Sequence, residues 1–326
     1  MRTHDNRPGF NAPADAHQAA VAELLRRFGQ PAVELTATGA AALEVALEVL
    51  GIGRGEEVIV PDLGCHSIAA AVVRSNATPV FVSVGDTLTL SPGEVAGAWS
   101  RRTRAVIVPH QYGLPCDVRG IVNAIPADGL VIEDVAQTWG SYTRGVASGA
   151  TGTLTVTSFG PSKPVALGGG GAVLGLPAHL SDAVAHGDIS DRHLARPPSP
   201  ARFPLPLLER LPAALRHADA QLAMRRAVVA RFLRSELSAY FRLPPLPPDS
   251  AASWTRMPLY PLSPTHVSDD RLRKMLRTFG PIQEVHPVPP SGLPMFRGAD
   301  KRVFPGGERR VDPLLIKILD TTEMNQ

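Results

Sequence analysis

Between residues 40 and 134, helical stretches and short apolar runs take turns, and this alternation constrains the fold more than any other feature of the chain. A helix is expected from Ala40 to Leu50, closed by the glycines of GIGRG, with a strand at Val58–Val60 after it. The unit then recurs: a helix over Ile68–Arg74 with a strand at Pro79–Val84, and a helix near Gly93–Ser100 with a strand at Ala105–Pro109. A helix around Val118–Ala124 and a strand at Leu130–Glu133 close the series. Strands joined by helical crossovers lie parallel, because each crossover brings the chain back to the same end of the sheet. Apolar runs at Leu154–Phe159 and Ala172–Leu174 are read as completing it. The expected fold class is α/β, a mostly parallel central sheet with helices on both faces.

The 326 residues suit one large domain and a smaller one. Residues 16–28 carry apolar side chains at helical spacing up to Gly29, so residues 1–30 read as an N-terminal arm or first helix. Residues 31–206 read as the large domain. Arg196–Pro206 is proline-rich and marks a linker or surface excursion, and residues 207–240 follow as a long helical bridge. The smaller C-terminal domain completes residues 207–326, with a strand at Arg256–Leu262 and a helix at Asp269–Thr278. No apolar run approaches the roughly 20 residues that span a bilayer, and MRTHDNRPGF lacks the apolar core of a secretory signal, so a cytoplasmic protein is expected. Two cysteines, Cys65 and Cys116, make no disulfide framework, and with His66 and His110 they match no zinc spacing, so no metal is expected. The net charge is +3 and the arginines are scattered, which argues against nucleic acid.

In such a sheet, ligands sit beyond the carboxyl ends of the strands, and four polar motifs fall there. TATGAAAL, residues 36–43, is a small-residue turn opening a helix; its backbone N–H groups could approach a phosphate, or it is an ordinary loop into an alanine-rich helix. VIEDVAQ places Asp134 at a strand end, where a buried carboxylate could bind a protonated ring nitrogen or simply cap the next helix. Gln137 could reach a ring hydroxyl. PHQYG, residues 109–113, puts His110 and Tyr112 where they could touch a substrate or serve as loop residues.

TSFGPSKPVALGGGG, residues 157–171, carries Lys163. Of 33 basic residues only four are lysines, at 163, 274, 301 and 317. A chain that otherwise writes positive charge as arginine thus sets a lysine among glycines and apolar residues, and a lysine amine, unlike a guanidinium, can deprotonate and attack a carbonyl carbon. Pro164 disfavours a helix at Lys163, the glycines at 168–171 permit close packing around it, and Ser158 could donate to a phosphate. The other reading is a glycine-rich turn with an incidental lysine.

Taken in order, TGAAALEVALEVLGIGRGEEVIVP, TPVFV, HQYGLPCDV, VIEDVAQTWGS and TSFGPSKPVALGGGGAVL resemble the DegT/DnrJ/EryC1/StrS family of pyridoxal-phosphate-dependent sugar aminotransferases, over about residues 31–175. The resemblance implies a fold-type I transferase and a homodimer with its active sites at the subunit interface. It implies pyridoxal 5'-phosphate as cofactor, Lys163 as the Schiff-base lysine and Asp134 as the partner of the pyridine nitrogen. Gln137 and Ser158 become contacts of the ring hydroxyl and the phosphate, and Gly39, Ala40 and Ala41 the phosphate turn. The implied reaction moves an amino group from an amino-acid donor, glutamate in the usual case, to a keto-sugar, cyclitol or related ketone. The alternatives are a different reaction of the same cofactor, by elimination, replacement or carbon–carbon bond formation, and a weakened non-enzymatic homologue.

The chain also departs from the family pattern. Ala40 stands where a hydroxylated residue is usual, and Cys65 where an aromatic ring stacks on the cofactor, leaving His66 as a candidate substitute. Gly169-Gly170-Gly171 replaces Glu-Gly-Gly. No asparagine occurs between Asn123 and Asn325, so the residue that reaches the partner's phosphate is missing, with Arg192, Arg196 or Arg202 as possible replacements.

Overall fold

The computed structural model describes residues 12–176, 203–283, 288–304 and 312–319. The large sheet is built from β1 (Val33–Thr36), β2 (Glu57–Pro61), β3 (Thr78–Val82), β4 (Thr103–Pro109) and β5 (Leu130–Asp134). After a small hairpin, β6 (Tyr142–Thr143) and β7 (Val146–Ala147), it gains β8 (Leu154–Ser158) and β9 (Gly171–Leu174). The strand order is β1-β9-β8-β5-β4-β2-β3, and β9 alone runs against the others. The carboxyl ends of β1, β2, β4, β5 and β8 therefore open on one edge, as the α/β reading requires.

Side-chain alternation divides this sheet between two cores, because successive residues of a strand point to opposite faces. Val58, Val60, Ala105 and Ile107 meet helices α2 (Gly39–Val49) and α3 (Ser67–Arg74) on one side. Ile59, Val106 and Val108 meet α4 (Pro92–Ala98) and α5 (Val118–Ala124) on the other. The helices begin where their caps place them: Ser91 and Glu94 form a reciprocal capping box at α4, and the Asp117 side chain accepts the Gly120 N–H at α5. At the amino end of the described chain, α1 (Ala12–Phe28) packs Ala20, Leu24 and Phe28 in a third core. That core includes Leu208 of α6 (Leu205–Leu208) and Leu211, Leu215 and Ala218 of the long helix α7 (Leu211–Leu233).

Strands β10 (Phe241–Arg242) and β11 (Ser250–Ala251) precede β12 (Arg256–Pro261), and helices α8 (Thr265–Ser268) and α9 (Asp270–Leu276) follow it. Strands β13 (Ile282–Gln283), β14 (Arg302–Phe304) and β15 (Leu314–Lys317) come next. A four-stranded antiparallel sheet, β10-β12-β15-β13, packs Met257, Leu259 and Ile316 against the α4 and α5 face of the large sheet. β11 joins the small hairpin.

One strand from the C-terminal part of the chain also enters the large sheet. β14 lies parallel to β3 and becomes the eighth strand of the large sheet. Its approach is held by polar contacts the sequence spacing could not reveal. Asp62 accepts both the backbone N–H and the hydroxyl of Ser291, at 2.8 and 2.6 Å. Arg302 pairs with Glu57, a carboxylate that is almost wholly buried and also accepts from Ser100 and Thr103. Phe296 packs edge-on against Phe81.

Glu48, near the end of α2, is half-buried, and burial pushes its carboxyl up to about 7 from an ordinary 4.5. Between these pH values the unfolded chain holds fewer protons than the folded one, so this group lowers stability as pH rises from 4.5 to 7. Glu48→Gln is expected to melt like the wild type below that window and higher above it, by on the order of 1 kcal/mol once solvent screening is allowed for. Thermal unfolding across pH checks this.

Candidate active site

The strand ends converge on a cleft of about 210 Å³. Its lining includes Thr38, Gly39 and Ala40 after β1, Cys65 and Ser67 after β2, Pro109 at the end of β4, and Asp134 at the end of β5. Ala136 and Gln137 follow β5, and Thr157 and Ser158 close β8, with Lys163 on the turn beyond. Four motifs far apart in sequence thus meet at one place.

Asp134 lies on the floor of the cleft, 8% exposed. Burial pushes its carboxyl above the ordinary range, while the Lys163 charge, the Ala136 N–H and His110 pull it back. Oδ1 accepts the Ala136 N–H at 2.9 Å, a turn around the strand end rather than a helix cap. A carboxylate so desolvated is stabilised by any cation brought into the cleft.

The Lys163 turn is shaped by backbone hydrogen bonds. Leu167 N–H donates to Phe159 O at 2.9 Å, Phe159 N–H to Gly170 O at 3.0 Å, and Lys163 N–H to Gly160 O at 3.2 Å, so residues 159–170 fold back on themselves. Gly170 has φ +91°, and a Cβ there would stand 2.4 Å from the Phe203 ring, so both the conformation and the space require glycine. The Gly170 N–H then donates to Ala37 O, tying the lysine turn to the loop that opens α2.

At that opening Thr38 caps α2, its hydroxyl accepting the Ala41 N–H at 3.0 Å. Gly39 touches β8 so closely that a Cβ would meet the Ser158 Cβ at 2.5 Å. The helix start and the Ser158 hydroxyl therefore face the same small volume. Ala41 is not among the lining residues, and its N–H is spent on the cap. Thr38, within the TATGAAAL turn, also lines the cleft; a threonine immediately before an alanine-rich helix is the signal that finds it.

His110 and Tyr112 do not reach this cleft. The His110 ring is buried, its Nε2 lies 3.1 Å from Glu133 Oε2, and its Nδ1 accepts the Cys116 N–H. Nδ1 is thereby the unprotonated nitrogen, and Nε2–H is the donor to Glu133. Glu133 also accepts backbone N–H groups of Gly149, Thr151 and Gly152. Burial works to raise its carboxyl, but His110 and these amides hold it below the usual range. The neighbouring space, lined by His110, Cys116 and Glu133 among others, is about 20 Å³, room for a single water. Tyr112, at φ 57°, packs its ring in the core between the two sheets. The strand end turns both side chains inward, so they organise the loops beneath the cleft instead of lining it.

His66 is likewise outside. It stands exposed at the start of α3 while Cys65 and Ser67 line the cleft, with Cys65 Sγ 3.0 Å from Ser67 Oγ. The ring-free wall at Cys65 is therefore made by a thiol and a hydroxyl. Arg192, Arg196 and Arg202 lie outside the described residues. Among the described residues no group of three or more His, Cys, Asp or Glu could hold a metal, and no helix is long and apolar enough to cross a membrane.

Residues 17–184 match the model of the DegT/DnrJ/EryC1/StrS aminotransferase family, more than half of the chain. The chain belongs to that family. The L-glutamine:2-deoxy-scyllo-inosose aminotransferase of Streptomyces fradiae is 38% identical over 227 residues, 61% of this chain and 54% of that protein. The UDP-N-acetyl-3-dehydro-alpha-D-glucosamine 3-aminotransferase of Acidithiobacillus ferrooxidans is 43% identical over 147 residues, 44% of this chain and 40% of that one. The chain spans about half the length, or less, of these curated relatives. Among solved structures, S. venezuelae DesV in complex with a ketimine intermediate is 26% identical with a TM-score of 0.76, covering 94% of this chain and 86% of that one. A DegT DnrJ EryC1 StrS aminotransferase from Brucella abortus, 24% identical with a TM-score of 0.78 over 95% and 87% of the two chains, shares the fold. The fold is that of the pyridoxal-phosphate aminotransferases in this family, with its mostly parallel sheet.

The family cleft rests on Glu133 from below. Glu133→Leu would orphan the buried Gly149 N–H, the part-buried N–H groups of Thr151 and Gly152 and the His110 donor, the buried losses costing about 1–3 kcal/mol each. The expected result is a destabilisation above about 3 kcal/mol in urea unfolding, with loss of the fold at the ordinary working temperature of the wild type.

Proposed function

We propose that this chain is a pyridoxal-phosphate-dependent aminotransferase that moves an amino group from an α-amino acid to a keto-sugar, cyclitol or related ketone. The observation that carries the reading is the pairing of Lys163 and desolvated Asp134 across one cleft at the strand ends. The cleft suits the cofactor in chemistry. Asp134 needs a cation, and a protonated pyridine nitrogen is one. The start of α2 and the Ser158 hydroxyl offer donors to a phosphate, and the contact of Gly39 with Ser158 keeps them together. Lys163 is an amine able to join an aldehyde.

In this reading Asp134 holds the ring nitrogen protonated, Gln137 donates to the ring hydroxyl, and the backbone at Gly39 and Ala40 with Ser158 holds the phosphate. Ala40 contributes its backbone only. When bound, the cofactor supplies an electron sink for the carbon that carries the amino group. Lys163 first holds the cofactor and then, once released from it, takes and returns the proton at the substrate carbon as general base and acid. The glutamine named in the inosose aminotransferases broadens the donor expected from the sequence, glutamate, to glutamine or glutamate. The family's homodimer with shared active sites is part of the proposal, and so is a cytoplasmic location.

The purified protein incubated with pyridoxal phosphate is expected to show a visible absorption band that glutamine or glutamate discharges in a single turnover. Lys163→Ala is expected to lose turnover by at least about a hundredfold, and Asp134→Asn to bind cofactor but lose the discharge. Bound cofactor that no amino donor discharges would contradict transamination; elimination products would then point to the other cofactor chemistry.

A further inference from the structure

The turns that follow β4 and β5 are held by one short stretch from the C-terminal part of the chain. Ser253 N–H donates to Gly113 O at 2.9 Å and Thr255 N–H to Tyr112 O at 3.0 Å, which fastens the turn after β4. The side chains of the same two residues reach the turn after β5. Thr255 Oγ1 donates to Gln137 O at 3.0 Å, and Ser253 Oγ accepts the Trp139 N–H at 3.3 Å while lying 3.0 Å from Thr138 Oγ1. Ser253 is fully buried and Thr255 is 6% exposed, so water competes little for these groups.

The crossing is crowded and strained. Tyr112 at φ 57° and Trp254 at φ 54° both adopt the left-handed conformation, which bulky residues keep only where their surroundings over-determine it. Both rings are buried in the core between the two sheets. A Cβ on Gly113, at φ +81°, would stand 2.5 Å from Ser253 Oγ and 2.8 Å from Trp254 N, so the two stretches touch. At their flanks, Arg226 of α7 donates to Ala252 O at 3.2 Å and to Gly140 O at 2.8 Å. The turn gripped in this way starts at Asp134, whose Oδ1 accepts the Ala136 N–H, and Asp134, Ala136 and Gln137 all line the cleft. Ser253 and Thr255 are outside the lining, so whatever they do for a ligand passes through that turn.

We infer, resting on the pyridoxal-phosphate reading and deepening it, that Thr255 is a positioning residue: it latches the turn after Asp134 to the smaller sheet before a ligand arrives. Without the latch, the turn must be ordered at the moment the cofactor binds, and that ordering is subtracted from the affinity. A turn that stays loose also leaves the reacting atoms misplaced. Ser253 is the second point of the latch, because it holds Thr138 and Trp139 of the same turn.

The test uses the full chain and compares Thr255→Val with Thr255→Ser, and with Thr155→Val as a structural control. Thr155 is fully buried on β8 and its hydroxyl donates to Gly149 O at 2.8 Å, so its valine variant loses the same kind of bond away from the cleft lining. Beside thermal melting, two readouts are taken. One is the dissociation constant of pyridoxal phosphate, and the other is the single-turnover rate at which glutamine or glutamate discharges the visible band of the saturated protein. Thr255→Val is expected to weaken cofactor binding about tenfold and to slow the discharge severalfold, whereas Thr255→Ser, which keeps the hydroxyl, stays within about twofold of the wild type. Thr155→Val is expected to lower the melting temperature and to leave both readouts within about twofold. Ser253→Ala is expected to move both readouts in the direction of Thr255→Val, and takes its place if that variant does not fold. Equal effects of Thr255→Val and Thr155→Val, no rescue by serine, or a change in melting alone overturns the inference. A wild type that takes up no cofactor removes the functional reading and the latch together, whereas a wild type that binds it beside an unaffected Thr255→Val removes only the role of Thr255.

Discussion

A carboxylate buried at the carboxyl end of a central strand is the constraint on which the rest of the site depends. Asp134 has lost most of its water, and among the charges that offset that loss the Lys163 ammonium comes first. The lysine turn stays close because it is bonded at Phe159, Gly160 and Gly170 and tied to Ala37. The glycines around Lys163 serve this geometry. Their tight contacts, with Phe203 at Gly170 and with the Thr38 backbone at Gly171, leave no room for side chains.

Beneath that pair lies a second polar layer that does not line the cleft. Glu133, adjacent to Asp134 on β5, faces the other way, and its four hydrogen bonds gather the loops around residues 110 and 149–152. One strand end thus carries two acids with opposite fates: burial dominates for Asp134, and a full set of donors overcomes burial for Glu133. The contrast leaves Asp134 with fewer compensating donors than Glu133. The same end of β4 supplies the Gln111 to Tyr112 stretch, which links the cleft wall to the segment around Thr255 in the smaller sheet.

The parallel sheet was legible because short apolar runs and helical stretches alternate at close spacing, and local signals suffice for such elements. Lys163, Asp134, Gln137 and Ser158, which line the cleft, could be singled out because polar residues just beyond strand ends are where ligands sit in this architecture. His110 and Tyr112 sit at the same kind of strand end, yet their side chains turn inward, since the strand's last residues decide direction by contacts at positions 116, 133 and 137 that no local pattern encodes. Cys65 lines the cleft and His66 does not, because the start of α3 points adjacent residues in different directions. β14 escaped notice for another reason: three residues carry no periodicity, and the contacts that dock it, Arg302 with Glu57 and Ser291 with Asp62, join positions more than two hundred residues apart.

The central claim is that one amine among four lysines joins the cofactor's aldehyde while facing Asp134. Borohydride reduction of the protein saturated with pyridoxal phosphate, followed by digestion and peptide mass spectrometry, tests it directly. The account requires a stoichiometric pyridoxyl adduct on the peptide that contains Lys163. An adduct confined to Lys274, Lys301 or Lys317, or no adduct at all, would contradict it.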